Sequence, residues 1–219
     1  MRLGCVCAVL VAGVLALPAS AAGANRVTEL VTAGPDGKAA GGGIVATSTN
    51  GSIAILSTRA SLLPQDSDSC TDPDDPSAPP FPCLDLYARN IHTGAIQLLS
   101  TGPQGGNGSY DVYFGGASDD ATKVVFTTSE PLVASDTDTY QDQYIHDLTT
   151  GKTELVSTGP TAPGGAPGLF AGISRDGSRV AFYTNIRATS EDTDTGLDTY
   201  VRDVPTSTTI LGVIIDRRI

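Results

Sequence analysis

Two acidic segments hold the residues best suited to chemistry: Asp136-Thr-Asp-Thr-Tyr-Gln-Asp142 and Asp192-Thr-Asp-Thr-Gly-Leu-Asp198. Both have the spacing Asp-x-Asp-x-x-x-Asp. Hard cations take several oxygen ligands from a flexible loop, so Asp136, Asp138, Asp142, Asp192, Asp194 and Asp198 form candidate calcium loops. They lack the mid-loop glycine and terminal glutamate of an EF-hand. The competing reading is structural: Asp and Thr form Asx-type turns that satisfy loop backbone groups. An earlier segment keeps Asp66 and Asp68, with Asp85 separated from them by an insert.

Other reactive side chains offer less. Asp147 and Asp203, with Asn90 in the matching place, recur ahead of a turn, and Asp176 sits in an Asp-Gly turn. Recurrence points to turn caps and away from a catalytic carboxylate. Paired carboxylates can hydrolyse glycosides, but acidic residues are numerous enough here to approach one another by chance. His92 and His146 have no metal-ligand spacing. No nucleophile elbow, Walker loop or dinucleotide fingerprint follows a strand. Asn107-Gly-Ser109 has the form of a glycosylation sequon. No catalytic residue is therefore expected.

Cys70 and Cys83 flank a proline-rich segment that can be neither helix nor strand, and the pair reads most simply as a disulfide. Closing such a loop is worth roughly 3 kcal/mol on the chain-entropy view. The disulfide fits an exported chain, as does the N-terminus. Arg2, the uncharged apolar run Leu3–Leu17, and Pro18 before Ala19-Ser20-Ala21 form a signal-peptide pattern over residues 1–21. The run is shorter than the roughly 20 residues of a membrane-spanning helix. Secretion or a periplasmic, cell-envelope location is expected, with no transmembrane segment in the mature chain. The net charge of −11, from 24 acidic and 13 basic residues, disfavours nucleic acid.

The elements that must position these residues repeat. Ser48, Ser118 and Ser174 precede Asp66, Asp136 and Asp192 by the same interval, and the full period is about 56 residues. Each unit reads as four short strands joined by tight turns, including Asn50-Gly51 and Asp176-Gly177. The second strand is apolar on both faces, as in Val124-Val-Phe126 and Val180-Ala-Phe-Tyr183, which suits a sheet sandwiched between sheets. The first strand is rich in small residues, including Gly115, Gly116 and Gly172, as crowding near a common axis requires.

The run Ser174-Arg-Asp-Gly-Ser-Arg-Val-Ala-Phe182, followed by Asp198-Thr-Tyr-Val-Arg-Asp203, resembles the TolB-type, WD-repeat-like propellers of bacterial exported proteins. The resemblance covers about residues 27–211. It implies an all-β fold of β-propeller blades: three four-stranded antiparallel repeats plus one extra N-terminal outer strand at Val27–Thr32. It also implies a non-catalytic surface that binds a protein or small ligand. The expected layout is a mature N-terminus and Gly-rich linker over 22–43, blade 1 with the disulfide insert over 44–103, blade 2 over 104–160, blade 3 over 161–213 and an irregular tail over 214–219. TolB carries a further N-terminal domain, for which this chain has no counterpart, so a Tol envelope role is not implied.

Closed propellers have roughly four to eight blades, so three predict an incomplete ring. Two expectations follow: a truncated piece of a larger ring, or self-association through open blade edges. The alternative in function is the propeller portion of a carbohydrate- or peptide-active secreted enzyme, and a third is a fragment with no independent activity.

Overall fold

The computed structural model describes residues 31–35, 37, 40–106 and 108–212. The signal-peptide pattern, the C-terminal tail and Asn107 lie outside them. Of the outer strand expected at 27–32, only Val31 and Thr32 are described, and they lie in a turn.

Twelve strands fall into three sheets. The first holds β1 (Gly43–Thr47), β2 (Ile53–Thr58), β3 (Asp85–Asn90) and β4 (Ile96–Leu98). The second holds β5 (Tyr113–Ala117), β6 (Lys123–Thr128), β7 (Asp142–Asp147) and β8 (Lys152–Leu155). The third holds β9 (Leu169–Ile173), β10 (Arg179–Thr184), β11 (Asp198–Asp203) and β12 (Thr208–Leu211). Each is an antiparallel meander in chain order. No helix occurs among the described residues.

The hairpin between the first two strands of each sheet is tied by a serine and an Asx side chain. Ser48, Ser118 and Ser174 donate from Oγ to Asn50, Asp120 and Asp176 at 2.8, 2.6 and 2.6 Å. The same Asx oxygens accept the amides of Ser52, Thr122 and Ser178. This is the side-chain mimicry of a turn that makes Asx residues favourable there. The three turns also join one another: Thr49 N–H donates to the Asp119 carbonyl at 2.8 Å, and Asp119 N–H to the Arg175 carbonyl at 2.7 Å. The inner ends of the sheets are thus linked in sequence.

The sheets stack face to face. Ile55, Leu86 and Ala88 of the first sheet meet Val124, Phe126 and Tyr144 of the second in one buried cluster. Val125 and Ile145, on the opposite face of the second sheet, meet Val180 with Phe170 and Ile173 of the third. Val124 and Val125 point to opposite faces and are both fully buried, so the middle sheet is covered on both sides. Burying a side chain of this size contributes roughly 1.5–3 kcal/mol, which makes these two interfaces the core. The expectation of two covered faces fails at Val180-Ala-Phe-Tyr183: burial alternates along β10 and Tyr183 is exposed, because among the described residues no fourth sheet packs on its far face.

Small residues allow the inner strands to approach. Gly116 lies under the Phe170 ring, where an added Cβ would come within 2.7 Å of it. Each inner strand is also irregular in register, between Ile44 and Ala46 in β1 and between Phe114 and Gly116 in β5, with the counterpart in β9 opposite Ala181 and Phe182. Four-stranded meanders stacked about adjacent inner strands are propeller blades, and the three form an open arc.

Candidate cation sites at the blade loops

The loop between the second and third strands of each sheet returns its carboxylates to one place. Asp136, Asp138 and Asp142 offer oxygens that all lie within 4.8 Å of one another, and so do Asp192, Asp194 and Asp198. The first sheet builds the same triad from Asp66, Asp68 and Asp85. This corrects the sequence reading, which kept Asp85 apart on account of the insert. Cys70 and Cys83 form a disulfide and pair further through a bridge between Cys70 and Phe81. The insert is therefore folded away as a closed side loop, and Asp85 starts β3 beside its partners.

Sequence reasoning missed the residues that hold the triads. Tyr87, Tyr144 and Tyr200 donate their hydroxyls to Oδ2 of Asp66, Asp136 and Asp192, one pair per blade. Each tyrosine ring is fully buried. The third aspartate is gripped from just past the last strand. Ser100 donates to Asp85 Oδ1 and Ser157 to Asp142 Oδ1, each at 2.6 Å. The signal was present in the recurrent Leu-Leu-Ser-Thr-Gly-Pro and Leu-Val-Ser-Thr-Gly-Pro runs, and the corresponding residue after Gly212 is Val213, which has no hydroxyl.

The inter-blade linker closes over the second triad. The Ala166 amide donates to Asp142 Oδ1 at 3.2 Å, and the Thr137 amide to the Gly164 carbonyl at 3.2 Å. Gly165, at φ +121°, lies against the Asp142 carboxylate, where an added Cβ would be 2.6 Å from Oδ2. The third triad is more open, with Asp194 exposed and Asp198 half-buried.

Burial and mutual repulsion perturb these acids as expected. Burial pushes Asp142 up to about 7, opposed by the Ser157 hydroxyl and reinforced by Asp136 and Asp138. Asp85 is likewise pushed up to about 7 by burial, opposed by Ser100 and reinforced by Asp68, Asp66 and Glu130. Asp68 rises to about 6 through burial and Asp66. Asp198 is raised by burial, Asp192 and Asp194.

A pH dependence follows for protein in EDTA. A carboxyl raised in the folded state keeps its proton between the ordinary value and about 7, where the unfolded chain has lost it. Its contribution is complete at acid pH and is lost as pH rises through that window. His146 works the other way. Burial lowers it, although Asp147 raises it, so falling pH costs stability there. Four raised carboxyls, of Asp68, Asp85, Asp142 and Asp198, against one imidazole set the net sign. The thermal midpoint in EDTA should be higher at pH 5 than at pH 8, and the double variant Asp85→Asn/Asp142→Asn should flatten the difference. A midpoint that rises from pH 5 to 8 would refute this.

The remaining candidates lie in turns. Asp147 Oδ1 accepts the Thr149 amide and Asp147 Oδ2 meets Lys123 Nζ at 2.6 Å. Asp203 Oδ1 accepts the Thr206 amide, and Asn90 Oδ1 that of His92. His146 lies in the register position of Arg89 and Arg202, and its Nε2 lies 3.2 Å from Gln97 Nε2 of the preceding blade.

No family model matches the chain, and no curated protein matches it in sequence. Among solved structures it is similar to TolB from Acinetobacter baumannii, at 11% identity and TM-score 0.39, over 75% of this chain and 30% of that one. It is also similar to the β-propeller domain of the Trilobed protease from Pyrococcus furiosus, at 8% identity and TM-score 0.43, over 80% and 44%. A prolyl endopeptidase structure matches at 17% identity and TM-score 0.41, over 79% and 22%. The chain thus spans less than half the length of each. The blade assignment rests on the sheet order and inter-sheet packing above. No helix among the described residues is long and apolar enough to cross a membrane.

Proposed function

We propose that this chain is an exported, non-catalytic propeller-type repeat that serves as a binding surface for an extended segment of a partner protein. The observation that carries this reading is where the repetition stops. The Asp–Tyr pairs, the Ser–Asx hairpins and the turn-capping aspartates do the same work in successive blades, as structural groups must. A catalytic centre in a repeat fold is local to one blade or one face.

One inter-blade register position changes its chemistry, and Glu154 there is ion-paired with Lys152 at 2.9 Å. Between the first two blades it pairs Gln97 with His146; between the next two the same register positions hold Glu154 and Arg202. Glu154 and Arg202 line a cleft of about 600 Å³, walled by Pro160 and Pro163. Arg202 is half-buried and donates to Thr209 Oγ1 at 3.1 Å. Opposite charges in a proline-walled cleft suit the amide and charged groups of an extended peptide. The disulfide and the signal-peptide pattern support export.

Random peptides displayed on phage and selected against the immobilised full chain test the reading. Enriched peptides should bind Arg202→Ala at least tenfold more weakly, and the chain should not turn over a panel of chromogenic glycosides and fluorogenic peptides. Selected peptides indifferent to Arg202→Ala, or no enrichment, would overturn the cleft. Turnover in the panel would favour the enzyme alternative.

A further inference from the structure

We propose that the triads Asp66–Asp68–Asp85 and Asp136–Asp138–Asp142 are binding sites for a hard divalent cation of the calcium class, one at each of the first two blades. This goes beyond the peptide-binding reading and does not depend on it. Clustered carboxylates alone would be weak grounds, because exposed acids cluster commonly. The oxygens left over are what point to a ligand.

Asp142 is fully buried. Its Oδ1 takes both the Ser157 hydroxyl and the Ala166 amide, while its Oδ2 is sealed from solvent with no hydrogen-bond partner. Asp85, 3% exposed, repeats the pattern: Oδ1 takes Ser100, and Oδ2 has no partner. Asp68 Oδ1 is a third such oxygen in the same triad. A carboxylate oxygen removed from water without a donor is costly, and natural structures rarely leave one unexplained. Here two blades place it at the same repeat position, inside a group of three acids. A cation satisfies the orphaned oxygens and cancels the repulsion together.

The surroundings are shaped for it. Tyr87 and Tyr144 fix the first aspartate of each triad through one oxygen. Gly165 keeps side-chain volume away from Asp142 Oδ2. All donors are oxygens, which suits calcium over metals that prefer nitrogen or sulfur. Three carboxylates converging on a flexible, largely buried loop suit it over magnesium, which gives up its waters reluctantly. Because residues 163–166 close the second triad and lead into β9, a cation there would fasten one blade's loop to the approach to the next. The third triad is left out: none of its carboxylate oxygens is both buried and without a partner among the described residues.

The test uses the full chain stripped with EDTA and then titrated with calcium chloride at pH 7.5 by calorimetry. Terbium supplies an optical probe. The sequence has no tryptophan, so luminescence sensitised at tyrosine wavelengths reports Tyr87 and Tyr144 beside the bound ion. Two equivalents per chain are expected, with a rise in thermal midpoint of about 5–10 °C at saturating calcium. Asp85→Asn and Asp142→Asn should each leave one equivalent, while melting no lower than wild type in EDTA, because each removes a repelling charge. Should a variant fail to fold, the wild-type stoichiometry decides alone. Absence of binding heat and midpoint shift, a response to magnesium equal to that to calcium, or two equivalents retained in both variants would overturn the proposal.

Discussion

Gly159→Ala should destabilise the chain by about 3 kcal/mol, and the cause is a collision between backbones at a blade boundary. An added Cβ at Gly159 would lie 2.1 Å from the Ala188 carbonyl oxygen and 2.8 Å from its carbon. No rotamer relieves a clash with backbone. Retreat of the linker is blocked as well: Thr161 donates its amide to Ala188 O at 3.3 Å and its hydroxyl to Arg187 O at 2.5 Å. The preceding boundary is built alike, since Gly102 would bring a Cβ to 2.4 Å from Leu132 O. Gly172 is the control. It lies in β9 with nothing within 4 Å of an added Cβ and no positive φ, so Gly172→Ala should stay within about 0.5 kcal/mol of wild type. Urea unfolding of the two variants makes the comparison. If Gly159→Ala unfolds with Gly172→Ala, the blades do not touch where the structure brings them together.

Much of the fold was legible because repetition compounds weak signals. A single Ser-Arg-Asp-Gly-Ser run could end a hairpin in any sheet. Three such runs at one period, each followed by a strand apolar on both faces, require sheets stacked on sheets. The structure bears out that step, with Val124 and Val125 buried on opposite faces of one strand. What the period does not encode is distance between units. The Thr-Gly-Pro runs recur plainly, yet that Gly102 and Gly159 are contact points emerges only once the neighbouring loop is in place. Nor does the period encode where the fourth strand stops: β4 ends at Leu98 because the chain leaves the sheet there to form the linker contact.

The triads show a different limit. Their spacing was visible where the loop is short, at Asp136–Asp142 and Asp192–Asp198. It was hidden in the first blade, where the insert from Cys70 to Cys83 lengthens the sequence without lengthening the path between Asp68 and Asp85. A disulfide closes such a detour, so sequence separation overstates spatial separation there. The tyrosines sit in the third strand of each sheet, but alternation assigns a buried face and says nothing about where a hydroxyl at its end lands. Each lands on the first aspartate of its own loop.

That pairing yields the second large effect, on Tyr144, where two contributions can be separated. The ring is fully buried and stacked on Phe126 at a centroid distance of 5.9 Å. The hydroxyl donates to Asp136 Oδ2 and accepts the Leu132 amide at 3.4 Å. Tyr144→Phe keeps the packing and leaves a buried carboxylate oxygen without its donor, so it should cost about 1–3 kcal/mol. Tyr144→Ala removes the ring as well and opens a cavity between the first two sheets, for which about 3–5 kcal/mol is expected. Ring packing is therefore the larger share, and the hydroxyl accounts for the shape of the loop. Urea titrations of both variants at one pH in EDTA measure the two steps without interference from cations. A phenylalanine variant as stable as wild type would mean that the tyrosine does not hold Asp136. An alanine variant no worse than phenylalanine would mean that the faces of the first two sheets are not packed together. The second result would be the more damaging, because the first two blades and the triads they carry are held together by that stacking.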